Sequence, residues 1–258
     1  MGPTVADIKQ RLHEADEREF AVLERSLVAD ARKGVRDAVE RARARLAAEA
    51  AERQRLASLY AFERALAAGR GDGVIVGLDE VGRGPLAGPL AVGAVVLPAE
   101  PFIEGLNDSK QVTPKRRDAL YDTIRTVAVA WAVARVEAEE IDRADILSAR
   151  MKAMQLAIDG LGQEGVYALI DGNRDKGRSF AITTPHVCIV KGDSLSASIA
   201  AASVLAKVSR DHCMLELARE YPQYQFEKHK GYGTKLHYEL LRAYGPSPIH
   251  RRTFLKNL

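Results

Sequence analysis

A change of sequence grammar near residue 70 limits the folds open to this chain more than any other feature. Before it, Ala, Arg and Glu dominate and β-branched residues are scarce. Apolar side chains recur every three or four positions: Ile8 and Leu12, then Phe20, Leu23 and Leu27, then Val35, Val39, Ala42 and Leu46, and finally Leu56, Leu59, Phe62 and Leu66. That period predicts amphipathic helices. Thr4 and Asp7 have the spacing of a reciprocal N-terminal cap. Gly69-Arg70-Gly71-Asp72-Gly73 reads as the closing linker. The expected division is therefore a helical extension over 1–70 and a main domain over 71–258.

Beyond the linker, short β-branched runs alternate with helical segments. Strands are predicted at Val74–Val76, Leu90–Leu97, Val127–Val136, Val166–Ile170 and His186–Val190. The first two, close together and glycine-rich, suggest an antiparallel pair. Thr113-Pro114 opens a helix running toward Arg125. Further helices are predicted over Ile141–Leu161, Ser196–Arg219 and Thr234–Ala243. Three strands followed by alternating helix and strand imply an α/β fold with a mixed sheet flanked by helices.

Composition narrows the function classes. With 47% hydrophobic and 28% charged residues in 258, the chain can bury a sizeable core. A net charge of +3 does not demonstrate nucleic-acid binding, but it permits a local basic patch. Cys188 and Cys213 lack metal-ligand spacing and read as reduced thiols, as in a cytoplasmic protein. The N-terminus lacks the apolar stretch of a signal peptide. The least polar run, Leu86–Ala99, is short and broken by Gly88, Pro89, Gly93 and Pro98, so no membrane span is expected. The extension carries 14 Lys/Arg against 12 Asp/Glu. Two readings stand: solvated helix faces with i,i+4 pairs, or an auxiliary substrate-binding arm using Arg41, Arg43, Arg45, Arg53 and Arg55.

Three strand ends carry carboxylates: Asp79-Glu80, Asp171 and Asp193. Gathered together, four carboxylates repel one another and need cations to stay ionised. An all-oxygen donor set suits Mg²⁺ or Mn²⁺, and two such ions can drive phosphodiester hydrolysis. Neighbouring side chains on a strand point to opposite faces, so Asp79 and Glu80 are expected to share a site only where the strand bends or ends. The adjoining Gly82-Arg83-Gly84-Pro85 is a loop whose backbone and arginine suit phosphate contact. It lacks the spacing of a P-loop or a dinucleotide fingerprint. Ser194, Ser196 and Ser198 lie in no nucleophile elbow and read as caps and polar packing.

The run Asp79-Glu80-Val81-Gly82-Arg83-Gly84-Pro85-Leu86-Ala87-Gly88-Pro89 closely resembles the first motif of bacterial ribonuclease HII. Asn107-Asp108-Ser109-Lys110, Ile170-Asp171-Gly172, Lys191-Gly192-Asp193, Ala200–Asp211, His229–Thr234 and His250–Phe254 resemble that family's later landmarks, in its order. The extension resembles one found in some bacterial members, without a motif. The resemblance implies a ribonuclease H-like fold with a mixed five-stranded sheet, a C-terminal helical part and an N-terminal helical extension. It implies cleavage of RNA in RNA–DNA hybrids and incision 5′ to single ribonucleotides in duplex DNA, leaving 5′-phosphate and 3′-hydroxyl ends. It further implies that Asp79, Glu80, Asp171 and Asp193 hold two Mn²⁺ or Mg²⁺ ions.

The same resemblance places the backbone of Gly82, Arg83 and Gly84 against the ribonucleotide 2′-hydroxyl, and Tyr232 on the following sugar. It offers Ser109, Lys110, Lys207 and Arg210 as substrate contacts. Lys207 and Arg210 share a helix face, although Asp211 stands where it can pair with Lys207. The expected partners are RNA–DNA hybrids and ribonucleotide-containing DNA duplexes, bound by a monomer. The sequence also admits two other readings: a ribonuclease HIII-like enzyme preferring longer RNA stretches, and a non-catalytic nucleic-acid binder.

Overall fold

The computed structural model describes residues 3–68, 73–174 and 176–255. The chain divides into two compact units, residues 1–57 and 58–258. Helices α1 (Val5–Glu14), α2 (Glu17–Leu27) and α3 (Lys33–Ala68) form where the apolar period predicts them. Thr4 and Asp7 form a capping box on α1, and Asp16 and Glu19 repeat it on α2. Ile8, Leu12, Phe20, Val35, Ala38, Ala42 and Leu46 build the core of the first unit. Arg43 pairs with Glu24 and Glu40, Arg45 with Glu49, Arg53 with Glu17, and Arg55 with Glu52. Of these pairs Arg45–Glu49 has the expected i,i+4 spacing, two are i,i+3, and Arg43–Glu24 and Arg53–Glu17 join α3 to α2.

The last turns of α3 belong to the second unit, ahead of the division expected near residue 70. Tyr60 stacks on Phe102 at 4.4 Å, and its hydroxyl accepts from Ile103 N at 3.2 Å. Of the expected linker, residues 69–72 lie outside the described residues.

Strands β1 (Val74–Val81), β2 (Leu90–Val96), β3 (Ala130–Val136), β4 (Val166–Asp171) and β5 (His186–Ile189) form one sheet in the order β3-β2-β1-β4-β5. The β1–β2 and β2–β3 pairs are antiparallel, and β1–β4 and β4–β5 are parallel. This is the expected mixed five-stranded sheet. β1 runs five residues past the predicted Val76, because its ladder with β2 continues to Val81↔Ala91.

Helices cover both faces. On one, α6 (Ile146–Asp159) packs Met151, Met154, Ala157 and Ile158 against Val76, Leu78, Val92 and Ala94. On the other, α7 (Ala197–Glu220) lies on β1 and β2. Two glycines permit that close approach. A Cβ at Gly77 would stand 2.2 Å from Ile199 N, and one at Gly93 would stand 2.4 Å from Ala202 O. Helix α4 (Pro114–Val127) packs on α7.

The helix predicted over 141–161 is two helices, α5 (Ala138–Ala144) and α6. Asp145 breaks it at φ 123°, and its carboxylate accepts from Leu147 N and Ser148 N to start α6. The short α8 (Phe226–His229) and α9 (Lys235–Tyr244) form the C-terminal helical part. Among the described residues no helix is long and apolar enough to cross a membrane.

Candidate active site

The four acids arrive on three elements. On β1, Val76 and Leu78 join the core beneath α6, whereas Gly77 faces α7. Alternation therefore turns Asp79 toward α7 and Glu80 toward α6. Both stand within the last three residues of β1, so the strand end expected to let them share a site is present, although they face opposite sides. A third acid links them instead: Asp171 ends β4, the parallel neighbour of β1, and its charge acts on both. Asp193 sits in a single 3₁₀ turn, Gly192–Ser194, after β5. Lys191, at φ 58°, turns the chain there, and Gly192 N donates to Asp171 Oδ1 at 2.7 Å. That bond ties the turn to the end of β4.

The electrostatics are those of a crowded, poorly solvated acid cluster. Burial, then the charges of Glu80 and Asp171, push the Asp79 carboxyl far above its ordinary range. Burial raises Glu80 as well, against the opposing pull of Arg150 and Arg83. Asp193 is raised by burial, then by Asp171 and Asp108. Burial alone would lower Lys110, but Asp108, Asp79, Asp193 and Asp171 together hold its ammonium above the usual value. An all-oxygen set whose members destabilise one another's charge suits hard divalent cations. Among the described residues, however, no three acidic, His or Cys side chains already converge as a ligand group.

The loop after β1 is built differently. Gly82, at φ 96°, turns the chain, and a Cβ there would stand 2.3 Å from Arg210 Nε. Arg251 is wholly buried and donates to Gly82 O at 2.7 Å, Arg83 O at 3.1 Å and Gly88 O at 2.8 Å. Arg210, also wholly buried, donates to Pro89 O at 2.8 Å, Ala87 O at 3.3 Å and Lys230 O at 3.1 Å. Leu86 N donates to Gly231 O and Gly88 N to Ile249 O, at 2.8 and 2.9 Å. Three segments far apart in sequence thus close on one loop. Gly84 stays open, with nothing within 4 Å of a would-be Cβ, and Arg83 is exposed.

Beneath this assembly lie three buried histidines. His237 Nε2 and His250 Nε2 are 3.0 Å apart, and His229 stacks on His237 at 4.3 Å. Burial pulls His237 and His250 down to about 4, so both are neutral near pH 7. His237 Nδ1 lies 3.0 Å from Tyr232 O and fixes the backbone of the aromatic loop. The Tyr232 ring itself is 41% exposed, with the Arg210 guanidinium 5.7 Å from its centroid.

The other expected substrate contacts divide. Lys110 is exposed beside the acids. Ser109 is buried, with Ser203 Oγ 2.8 Å from its hydroxyl; Ser203 also hydrogen-bonds Asp79. Lys207 pairs with Asp211 at 2.7 Å, the local pairing that competes with phosphate contact. Arg210 is turned inward, away from any surface where phosphate could meet it.

Three side chains escaped the sequence reading. Arg150 enters from α6, where its sequence context, with Lys152 two residues on, is that of an ordinary charged helix residue. Asp108 is buried beside Asp193 and Lys110, inside a motif read only for its Ser and Lys. Glu63, near the end of α3, accepts from Ser196 Oγ at 2.5 Å, Ser198 N at 2.6 Å and Ser198 Oγ at 2.9 Å. With Ser196 Oγ accepting from Ile199 N, it caps α7, so the capping role read for these serines holds.

The family model for ribonuclease HII matches residues 76–257, and the model for the ribonuclease HII N-terminal domain matches residues 4–67. The chain is 52% identical over 182 residues to ribonuclease HII of Dechloromonas aromatica, covering 70% of this chain and 91% of that one. It is 43% identical over 251 residues to ribonuclease HII of Bacillus subtilis, covering 97% of this chain and 96% of that one. The crystal structure of ribonuclease H2 from Pyrococcus horikoshii superposes with a TM-score of 0.57 at 27% identity, covering 69% of this chain and 92% of that chain.

Proposed function

The chain belongs to the ribonuclease HII family and is an endoribonuclease acting on RNA–DNA substrates, and we propose that it incises 5′ to single ribonucleotides in duplex DNA as well as cutting hybrids. The supporting observation is the mutual charge coupling of acids from β1, β4 and the turn after β5, beside an open Gly-Arg-Gly loop. Asp79, Glu80, Asp171 and Asp193 are the residues that would hold two divalent ions, Mn²⁺ or Mg²⁺. Such ions supply Lewis acidity toward the attacking water and the departing 3′ oxygen.

The remaining work falls to the chain itself. Arg251 and Arg210 hold the loop carbonyls inward, so the loop meets the substrate in one conformation. Its backbone at Gly82, Arg83 and Gly84 reads the 2′-hydroxyl, which can both donate and accept. The exposed face of Tyr232 packs on the next sugar, where an added hydroxyl would be unwelcome. Lys110 supplies charge toward phosphates, whereas Lys207 is held by Asp211 and Ser109 and Arg210 act from inside as supports. The products carry 5′-phosphate and 3′-hydroxyl ends.

The test is a DNA duplex with one internal ribonucleotide, incubated with Mn²⁺ or Mg²⁺, with the cut mapped at nucleotide resolution. Incision on the 5′ side of the ribonucleotide is expected, at a rate comparable to that on a four-ribonucleotide duplex. Cutting of the longer stretch alone would identify a ribonuclease HIII-like preference. Folded protein that cuts neither would leave only a binding role.

A further inference from the structure

Helix α6 carries a guanidinium into the carboxylate cluster. Arg150 is 3% exposed, with Nε 2.9 Å from Glu80 Oε2. Its Nη2 donates to Asp171 O at 2.6 Å and its Nη1 to Arg174 O at 2.8 Å. Gly172, at φ 111°, leaves room for it: a Cβ there would stand 3.1 Å from Nη2. One side chain therefore touches both strands that bring acids to the site.

The contact with Glu80 is a buried ion pair, in which the Arg150 charge comes ahead of its hydrogen bond in holding the carboxyl down. The Nε–H is poorly aligned on Oε2, although both atoms are buried. Arg83 Nη1 is the other cation near this acid, 3.9 Å from Oε1, but its side chain is 57% exposed and screened by water. The Arg150 charge is not screened in that way. A fixed positive charge beside a carboxylate opposes the arrival of a second cation there.

We infer that Arg150 is a positioning residue that keeps Glu80 in a resident ion pair, so that a divalent cation gains Glu80 as a ligand only in competition with the guanidinium. The inference rests on the proposed assignment of the four carboxylates as ligands. Asp79 faces α7, away from Arg150, so the competition falls on Glu80 before it falls on Asp79. The guanidinium also keeps the two strand ends together before any cation binds, through its bond to Asp171 O.

The experiment is a calorimetric titration with Mn²⁺ of metal-free full-length protein, wild type beside Arg150→Met, Arg150→Gln and Arg150→Lys. The two neutral variants are expected to bind Mn²⁺ at least about tenfold more tightly. Tenfold is ~1.4 kcal/mol, a minimum, because a guanidinium and a divalent ion sharing Glu80 repel by more than that even at an effective dielectric of about 20. Arg150→Lys keeps the charge and should stay within about twofold of wild type. A strut with no electrostatic role would give weaker or unchanged binding in every variant. Arg150→Gln can still donate to Asp171 O and keeps the test open if Arg150→Met does not fold. Equal or weaker binding by a folded neutral variant overturns the inference, as does tightening in Arg150→Lys as large as in the neutral variants. Absence of Mn²⁺ binding by the wild type overturns the ligand assignment and this inference with it.

Discussion

The glycine loop after β1 and the carboxylate cluster at its end are neighbours in sequence and opposites in how their polar groups are met. In the loop, two buried guanidiniums donate to the carbonyls of Gly82, Arg83, Ala87, Gly88 and Pro89. Those carbonyls have donors before any substrate arrives. In the cluster, burial and mutual repulsion raise Asp79, Glu80 and Asp193 above their ordinary range. The loop is held in shape by bonds internal to the fold, whereas the cluster stores a charge imbalance that external cations can relieve. Removing a group from the loop should cost stability. Removing one from the cluster should cost chemistry.

The largest expected effect is on turnover. Asp193→Asn should lower cleavage by about a thousandfold, ~4 kcal/mol of barrier, while urea denaturation of the metal-free protein changes little. Retained turnover would place the chemistry elsewhere. Next is Arg251→Met, which leaves three carbonyls without their donor and should cost about 3 kcal/mol in urea denaturation. A loss under about 0.5 kcal/mol would mean that the loop does not depend on this residue.

Acid should move the two regions in opposite directions. His237 and His250 are held down at about 4 in the folded protein, against 6.5 when free. Their contribution is complete above about pH 6.5 and is lost as pH falls toward 4. The raised carboxylates take up protons more readily folded than unfolded, so the metal-free cluster gains stability as pH falls toward the ordinary carboxylate range. Midpoints measured between pH 7 and pH 4 should therefore show a steeper loss in Asp79→Asn, where one compensating acid is gone. In His250→Gln the loss should be shallower. Identical slopes in all three proteins would break the comparison. The smallest stability effect is expected at Tyr232→Ala, within about 0.5 kcal/mol, because the ring is exposed. Cleavage at a single ribonucleotide should fall further than duplex affinity, and equal losses would count against the stacking role.

Much of this arrangement is legible in the sequence because it is local. The apolar period sets the helices, β-branched runs set the strands, and acid-glycine steps mark where strands end. Thr4 with Asp7 and Ser196 before α7 cap helices as their residue types predict. What escapes depends on tertiary partners. Arg150 and Glu63 are charged residues on helices that read as ordinary, and only the fold buries them beside Glu80 and the start of α7. Arg210 shares a helix face with Lys207, but that face meets the loop as well as the surface, so the guanidinium turns inward. Asp145 is legible in retrospect, since an Asp two residues before Leu147 is a helix-start signal inside an otherwise helical run.

The opposition between chemistry and stability is tested most directly at Asp79, the acid pushed furthest by burial and by its neighbours. The measurement is the thermal midpoint of metal-free Asp79→Asn against metal-free wild type. An equal or higher midpoint is predicted, because the amide removes a buried charge that Glu80 and Asp171 oppose. A midpoint lowered by several degrees would contradict it and would make Asp79 a structural residue of the sheet.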